Sequence, residues 1–504
     1  MKFKISFFFI VWLLVPRLVA AQQVRVDSLC REAYNEIMSL RFAPARRLLD
    51  KEKQRYPDNV YVDYLENYRD FLQIFITEDQ TLFDRLDDAF DARYDRIKAL
   101  PDSSRYKNLL LGNMNLQWAF ARLKFGGYFT AAWEINRAYR LISDNTEKFP
   151  LFVPNGIAFG VLNVMIGLVP DKYQWMLKII SMKGTVEKGK TELYRVLEES
   201  SQNRVYAYLY PEALFYLGFI ELNLSPNRKA PEKLLYYLRQ VDSTNLLTDF
   251  LKADIAIRFG KNDQALRQLK NAPQDSNYLP FYYLDYLKGD CYLRKLKTDS
   301  ADAEYAYFLH HFQGLNYIKD AWRKRAWAAL LNKNIRLYHQ RMDSVLAYGR
   351  TNVGADKEAE TEAESGVVPN LVLLKARLLF DGGYYQQAEK LLVADTHSFI
   401  TKAEKLERIY RLARIAHRQN HIQTAKQDYR ITLQLGSESP QYFAANAALK
   451  LGEIYESEDS LKLAQKYYQK VLDLRFDEYV NSIRGKAKEA LQRISEKENF
   501  TTGN

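Results

Sequence analysis

Apolar and small positions recur along the chain in one frame at helical spacing. It runs small residue, three residues, aromatic, a tight turn, then Ala, three residues, and Tyr or Leu. The C-terminal copy reads Leu451-Gly452, Tyr455, Ala464 and Tyr468, and its neighbour Leu412-Ala413, Ala416, Ala425 and Tyr429. Earlier copies carry Gly289, Tyr292, Ala301 and Tyr305; Ala253, Ala256, Ala265 and Leu269; and Leu217-Gly218, Glu221, Ala230 and Leu234. Ala33, Phe42, Ala45, Leu49 and Pro57 fit the same frame at the N-terminus. The second-helix Ala positions 230, 265, 301, 388, 425 and 464 are separated by 35, 36, 87, 37 and 39 residues. The long gap has room for two periods and an insertion. A fixed period of this length predicts stacked helical hairpins.

The pattern resembles the tetratricopeptide repeat family, whose unit is about 34 residues of helix–turn–helix. Small residues at its eighth and twentieth positions let two antiparallel helices approach, and large residues between them seal the joint. Gly126-Gly127-Tyr128 and Gly382-Gly383-Tyr384 fall at helix-to-helix turns, where Gly can take a positive φ. The resemblance covers most of the chain, although Trp at the family's fourth position is missing and most units lack the terminal Pro. It implies an all-α fold, a right-handed α-α superhelix, with a concave groove lined by first helices that takes a protein or peptide partner. Carried over residue by residue, the groove candidates are Tyr286, Asp290, Arg377, Tyr410, Arg411, Arg414 and Lys450. Arg beside Tyr is the composition of interface hot spots. The Lys–Asn pattern with which some members clamp a terminal carboxylate is absent.

Two stretches interrupt the frame. Residues 149–170 carry no charge over 22 positions, but Pro150, Pro154, Gly156, Gly160, Gly167 and Pro170 punctuate them. The longest Pro-free piece, 155–169, is about 22 Å as helix, short of a bilayer. It predicts a buried hairpin, with docking to a lipid surface or an outer-membrane partner as the alternative. Gly156, Phe159-Gly160, Asn163, Pro170, Gly184, Gly189 and Leu193 are similar to a segment of the eukaryotic tetratricopeptide family linked to inclusion-body clearance. The second stretch holds Asp356, Glu358, Glu360, Glu362 and Glu364 against Lys357 alone, a short exposed acidic helix or connector. The expected organisation is a leader at 1–21, hairpins at 22–148, an apolar helical insertion at 149–200, central repeats at 201–350, the acidic connector at 351–368 and C-terminal repeats at 369–504.

Composition agrees with one long helical stack. Only 21 Gly and 14 Pro occur in 504 residues, too few for the turns of a sandwich, barrel or propeller. The 47% apolar content excludes wholesale disorder. Met1-Lys2-Phe3-Lys4, the apolar run Ile5–Val15 and the small residues Val19-Ala20-Ala21 have the order of a secretory leader cleaved after Ala21. The expected compartment is the envelope, periplasmic in a Gram-negative cell. Removal of Lys2, Lys4 and Arg17 lowers the formal charge from +11 to +8. Bases concentrate between Lys402 and Arg430, eight against three acids, without the sustained basic face of a nucleic-acid reader.

Chemistry is sparse. No phosphate-binding glycine loop, zinc-protease or nucleophile-elbow motif occurs. His417 and His421 lie four apart but straddle an expected turn, so no metal or other cofactor is called for. Cys30 and Cys291 are expected to be buried free thiols. No nucleophile–base pair stands out, and a motif-less enzyme on a helical solenoid is the remaining alternative to an interaction scaffold.

Overall fold

The computed structural model describes residues 22–169, 182–223, 230–241, 244–394 and 397–502, so the expected leader at 1–21 lies outside them. The described residues are all-α and form TPR-like helical hairpins. Among the described residues the only β pairing is an isolated bridge between Gln23 and Asn59. Two compact units divide the chain, residues 1–248 with 273–279 and residues 249–272 with 280–504.

In the first unit the helices are α1 (Ser28–Met38), α2 (Phe42–Arg55), α3 (Val60–Thr77), α4 (Gln80–Lys98), α5 (Lys107–Lys124), α6 (Tyr128–Lys148), α7 (Asn155–Gly167), α8 (Val186–Gln202), α9 (Tyr210–Asn223) and α10 (Ala230–Leu238). Beyond them come α11 (Leu246–Arg258), α12 (Asn262–Asn271), α13 (Tyr283–Arg294), α14 (Thr298–His311), α15 (Ile318–Leu331), α16 (Ile335–Ala347), α17 (Gly354–Ser365), α18 (Leu371–Asp381) and α19 (Tyr385–Ala394). The chain finishes with α20 (Lys402–Arg418), α21 (Ile422–Leu435), α22 (Phe443–Ser457), α23 (Leu461–Asp473) and α24 (Val480–Thr502).

One turn geometry explains the frame. In eight hairpins a single residue between the helices is left-handed: Leu40, Gly126, Gly260, Leu296, Lys333, Gly383, Asn420 and Asp459, with φ between 56° and 82°. The next N–H donates to the carbonyl five residues back, as in Arg41 to Glu36, Lys297 to Tyr292 and Ser460 to Tyr455, at 2.8–3.0 Å. This is the Schellman closure, which satisfies carbonyls that a helix end leaves open. Seven residues before the left-handed residue stands Ala or Gly in every case: Ala33, Ala119, Ala253, Gly289, Ala326, Ala376, Ala413 and Gly452, all buried. Five residues after it stands buried Ala in seven, namely Ala45, Ala131, Ala265, Ala301, Ala388, Ala425 and Ala464. The turn therefore sets the register, and the two small residues set how closely the helices pack.

Where the first position is Gly289 or Gly452, the opposing residue is a fully buried tyrosine, Tyr305 or Tyr468. A Cβ on Gly452 would sit 2.5 Å from Tyr468 Cε1. Gly452→Ala is therefore expected to destabilise by about 1–3 kcal/mol through overpacking, although Ala is the better helix former. Gly485→Ala in α24, where a Cβ meets nothing within 4 Å, should stabilise by up to about 1 kcal/mol. Urea unfolding of both variants tests this, and equal signs would refute it.

The uncharged stretch becomes α7, buried against α8. A Cβ on Gly160 would lie 2.9 Å from Gly189 O, and one on Gly189 would lie 2.4 Å from Gly160 O. The spaced glycines of this region thus serve a close helix crossing. No described helix is long and apolar enough to cross a membrane.

The acidic stretch is a helix as expected, but not an exposed spacer. Asp356 in α17 is fully buried and accepts the backbone N–H groups of Tyr317 at 2.6 Å and Asp320 at 3.0 Å, capping α15 from 39 residues away. Glu360 pairs with Lys319 at 3.0 Å, and Glu362 accepts Trp327 Nε1–H at 2.7 Å. Asp356 and Glu360, one turn apart, and Glu362 beside them thus meet the cations and donors of α15.

Candidate functional site

First helices of successive hairpins in the second unit lie side by side, and every residue expected to line the groove stands on one of them. Tyr286 and Asp290 on α13 are drawn into a buried ionic network. The Tyr286 hydroxyl donates to Asp320, while Lys324 Nζ reaches Tyr286 Oη at 2.7 Å, Asp290 Oδ1 at 2.6 Å and Asp320 Oδ2 at 2.8 Å. Tyr305 donates to Asp290 at 2.6 Å. Burial pushes the Asp320 carboxyl up, but Lys324 and Arg323 outweigh it and hold the group well below the usual carboxylate range.

Tyr410 on α20 is 1% exposed, its ring centroid 5.1 Å from that of Phe443. Arg411 is buried and its Nε donates to Glu407 at 2.7 Å. Lys450 on α22 pairs with Glu453 at 2.7 Å, and desolvation lowers its pKa. These side chains spend their polarity inside the unit.

Arg377 and Arg414 differ. The Arg377 guanidinium lies over Trp327, 4.4 Å from the ring centroid. Arg414 lies 4.2 Å above Phe380 and 5.8 Å from the Tyr410 ring. Both arginines are half-buried, and among the described residues neither has a carboxylate within ion-pair distance. Tyr442 feels the charge of both, and its ring meets that of Tyr479 at 5.0 Å. Tyr479 is 48% exposed and left-handed at φ 55°. Two guanidiniums thus lie over aromatic rings with no carboxylate within ion-pair distance among the described residues, and a guanidinium fork can grip a carboxylate or phosphate bidentately.

The first unit holds a site that the repeat frame did not indicate. Glu212, in the first turn of α9, is 5% exposed and accepts hydroxyl hydrogen bonds from Tyr34 and Tyr68. Beside it lies a cavity of about 20 Å³ lined by Tyr34, Tyr61, Tyr64, Tyr106, Tyr208 and Asn113, among others. Among the described residues no Lys or Arg reaches the carboxylate, and burial pushes it up to about 7 against the pull of its two tyrosine bonds. Tyr61, Tyr64 and Tyr68 do form a stripe at helical spacing on α3, a pattern more often core than site. Glu212 itself is 144 residues beyond Tyr68, so nothing in the sequence joins them.

One group of metal-type donors also converges among the described residues, Asp27, Cys30 and Glu52. Its roles are visible in the structure: Asp27 caps α1 by accepting Cys30 N–H at 3.0 Å, and Asn59 donates to Glu52 at 2.8 Å. Burial pushes the Cys30 thiol up and keeps it protonated. Cys30 and Cys291 are both buried and free. His417 lies 3.4 Å from Tyr429 Oη, and His421 takes the N-cap position of α21.

No family model matches the chain, and no curated protein matches it. Among solved structures, the human IFIT1 dimer with PPP-AAAA is similar over 90% of this chain and 96% of that one, at 13% identity and a TM-score of 0.30. A likeness at that score adds nothing to the account of either site.

Proposed function

We propose that the protein is an exported, non-enzymatic scaffold whose second unit binds an acidic segment of a protein partner through Arg377 and Arg414. The observation that carries this reading is the pair of stacked guanidiniums without a carboxylate partner among the described residues. Neither guanidinium has a carboxylate within ion-pair distance among the described residues, so an incoming carboxylate can take both N–H donors of its fork. The rings beneath fix each guanidinium, so little side-chain freedom is lost on binding. Arg411, saturated by Glu407, contributes charge rather than a free fork. The leader-like N-terminus supports export, with the periplasm as the compartment in a Gram-negative source.

Affinity capture from the native envelope, followed by titration of a retained acidic segment, tests the proposal. Arg377→Gln and Arg414→Gln should each weaken binding about tenfold, as loss of a charge-assisted bidentate contact does. Arg411→Gln should weaken it by less. Unchanged retention and affinity in the Arg377→Gln/Arg414→Gln double variant would sink the assignment.

A further inference from the structure

We propose that the tyrosine-walled cavity of the first unit is a binding site for a primary ammonium group, with Glu212 as its counter-ion. Four observations lead there. Glu212 is buried at the end of the cavity, yet no described cation pairs with it. An isolated buried carboxylate is costly unless a positive charge or several donors accompany it. Two hydroxyl donors, from Tyr34 and Tyr68, occupy two of its roughly four lone-pair positions and leave the others for a ligand.

The walls also suit a cation. The Tyr34 and Tyr208 rings meet edge to face at 5.1 Å, Tyr61 and Tyr106 do so at 6.3 Å, and Tyr61 and Tyr64 are tilted at 5.6 Å, giving a continuous aromatic lining. Ring faces carry negative quadrupole and attract ammonium, the principle of aromatic cages. Size selects within that class. A volume of about 20 Å³ holds one water-sized group, which admits an –NH3⁺ head and rejects a quaternary ammonium. Half-buried Tyr106 and Asn113 stand at its more open side. The ligand is accordingly either a small free amine or a lysine side chain of a partner.

The experiment uses the full chain at pH 8 and equal ionic strength. Methylammonium chloride near ten times its dissociation constant should raise the melting temperature of the first unit by about 3–5 °C over sodium chloride. Potassium chloride and tetramethylammonium chloride should not. Nα-acetyl-lysinamide separates the sources: a comparable shift identifies a lysine side chain, and a shift with methylammonium alone identifies a free amine. Glu212→Gln should remove the methylammonium shift. Should that variant fail to fold, Asn113→Leu, which leaves the Glu212 hydrogen bonds in place and narrows the entrance, should reduce the shift at least tenfold in apparent affinity. No shift over sodium chloride, an equal shift with potassium, or an undiminished shift in either variant overturns the proposal.

Discussion

Gly383→Ala is expected to destabilise the second unit by about 3–5 kcal/mol, whereas Gly126→Ala in the first costs only about 1 kcal/mol. Both glycines close a hairpin at nearly the same angle, φ 82° and 81°. A side chain in that region pays about 1–2 kcal/mol of backbone strain, partly recovered from the lower entropy of the unfolded chain. Surroundings make the difference. A Cβ on Gly126 meets nothing within 4 Å, but one on Gly383 would sit 1.9 Å from Gly260 O. The obstacle is backbone, so no rotamer change relieves it.

The turn between α18 and α19 must then leave the turn between α11 and α12. That separation also breaks the Tyr384 hydroxyl contacts to Asn262 Nδ2 at 3.1 Å and Asp263 Oδ1 at 3.1 Å. Denaturant unfolding, with hydrogen exchange to assign each transition to its unit, reads both costs. Equal losses for the two variants would show that the contact between turns is not structural.

The same turns show what the sequence discloses and what it hides. Gly126 and Gly383 announce themselves, because glycine is the expected residue at a positive φ. Leu40, Leu296, Lys333 and Asp459 adopt the same geometry with no such sign, since the Schellman hydrogen bonds and the packed hairpin impose it on them. Spacing survives where turn identity does not: small residues at fixed distances disclosed five hairpins of the frame. The α15–α16 hairpin escaped for a specific reason. Tyr338 occupies its second-helix Ala position, and α17 follows at once, so the 87-residue gap concealed both a unit and an insertion. The acidic stretch was legible as a helix from composition, but its docking on α15 depends on Lys319, Arg323 and Trp327, whose placement against α17 no local pattern discloses.

Candidate groove residues divide along similar lines. The frame put Arg377, Arg411 and Arg414 on first helices, and the structure has them there. Among the two on α20, the one that keeps a free guanidinium is the one with no carboxylate four residues before it. Glu407 stands there for Arg411. For Arg414 the residue at that distance is Tyr410, which offers a ring instead. This distinction is visible in sequence once the helix is assumed. The Glu212 site is different in kind, because its members come from α1, α3, α5, α9 and the segments just before α5 and α9, and only tertiary structure brings them together.

Glu212 also gives a large expected pH effect close to neutrality. Its carboxyl titrates at about 7 in the folded state against an ordinary value of 4.5, because burial disfavours the charged form. The folded state therefore holds its proton more tightly than the unfolded state. Between pH 4.5 and 7 the folded protein carries a proton that the unfolded chain has released, so stability falls by about 1.4 kcal/mol per pH unit and levels off above the folded value. The total is about 3 kcal/mol, fully present below pH 4.5 and gone above about pH 7.5. Asp63, also buried in the first unit, is raised to about 6 and contributes with the same sign, ending earlier. Glu212→Gln isolates the effect, since an amide fills the same space and still accepts from a tyrosine hydroxyl. Wild type and variant should be nearly equal in stability at pH 4.5, and the variant should be ahead by about 3 kcal/mol at pH 8. Parallel pH profiles would mean that the carboxylate already has a positive partner in the folded chain. A bound ammonium ion makes a different prediction: it flattens the wild-type profile above pH 6 and leaves the Glu212→Gln profile unmoved, because a charge supplied to the cavity removes the penalty that raises the carboxyl.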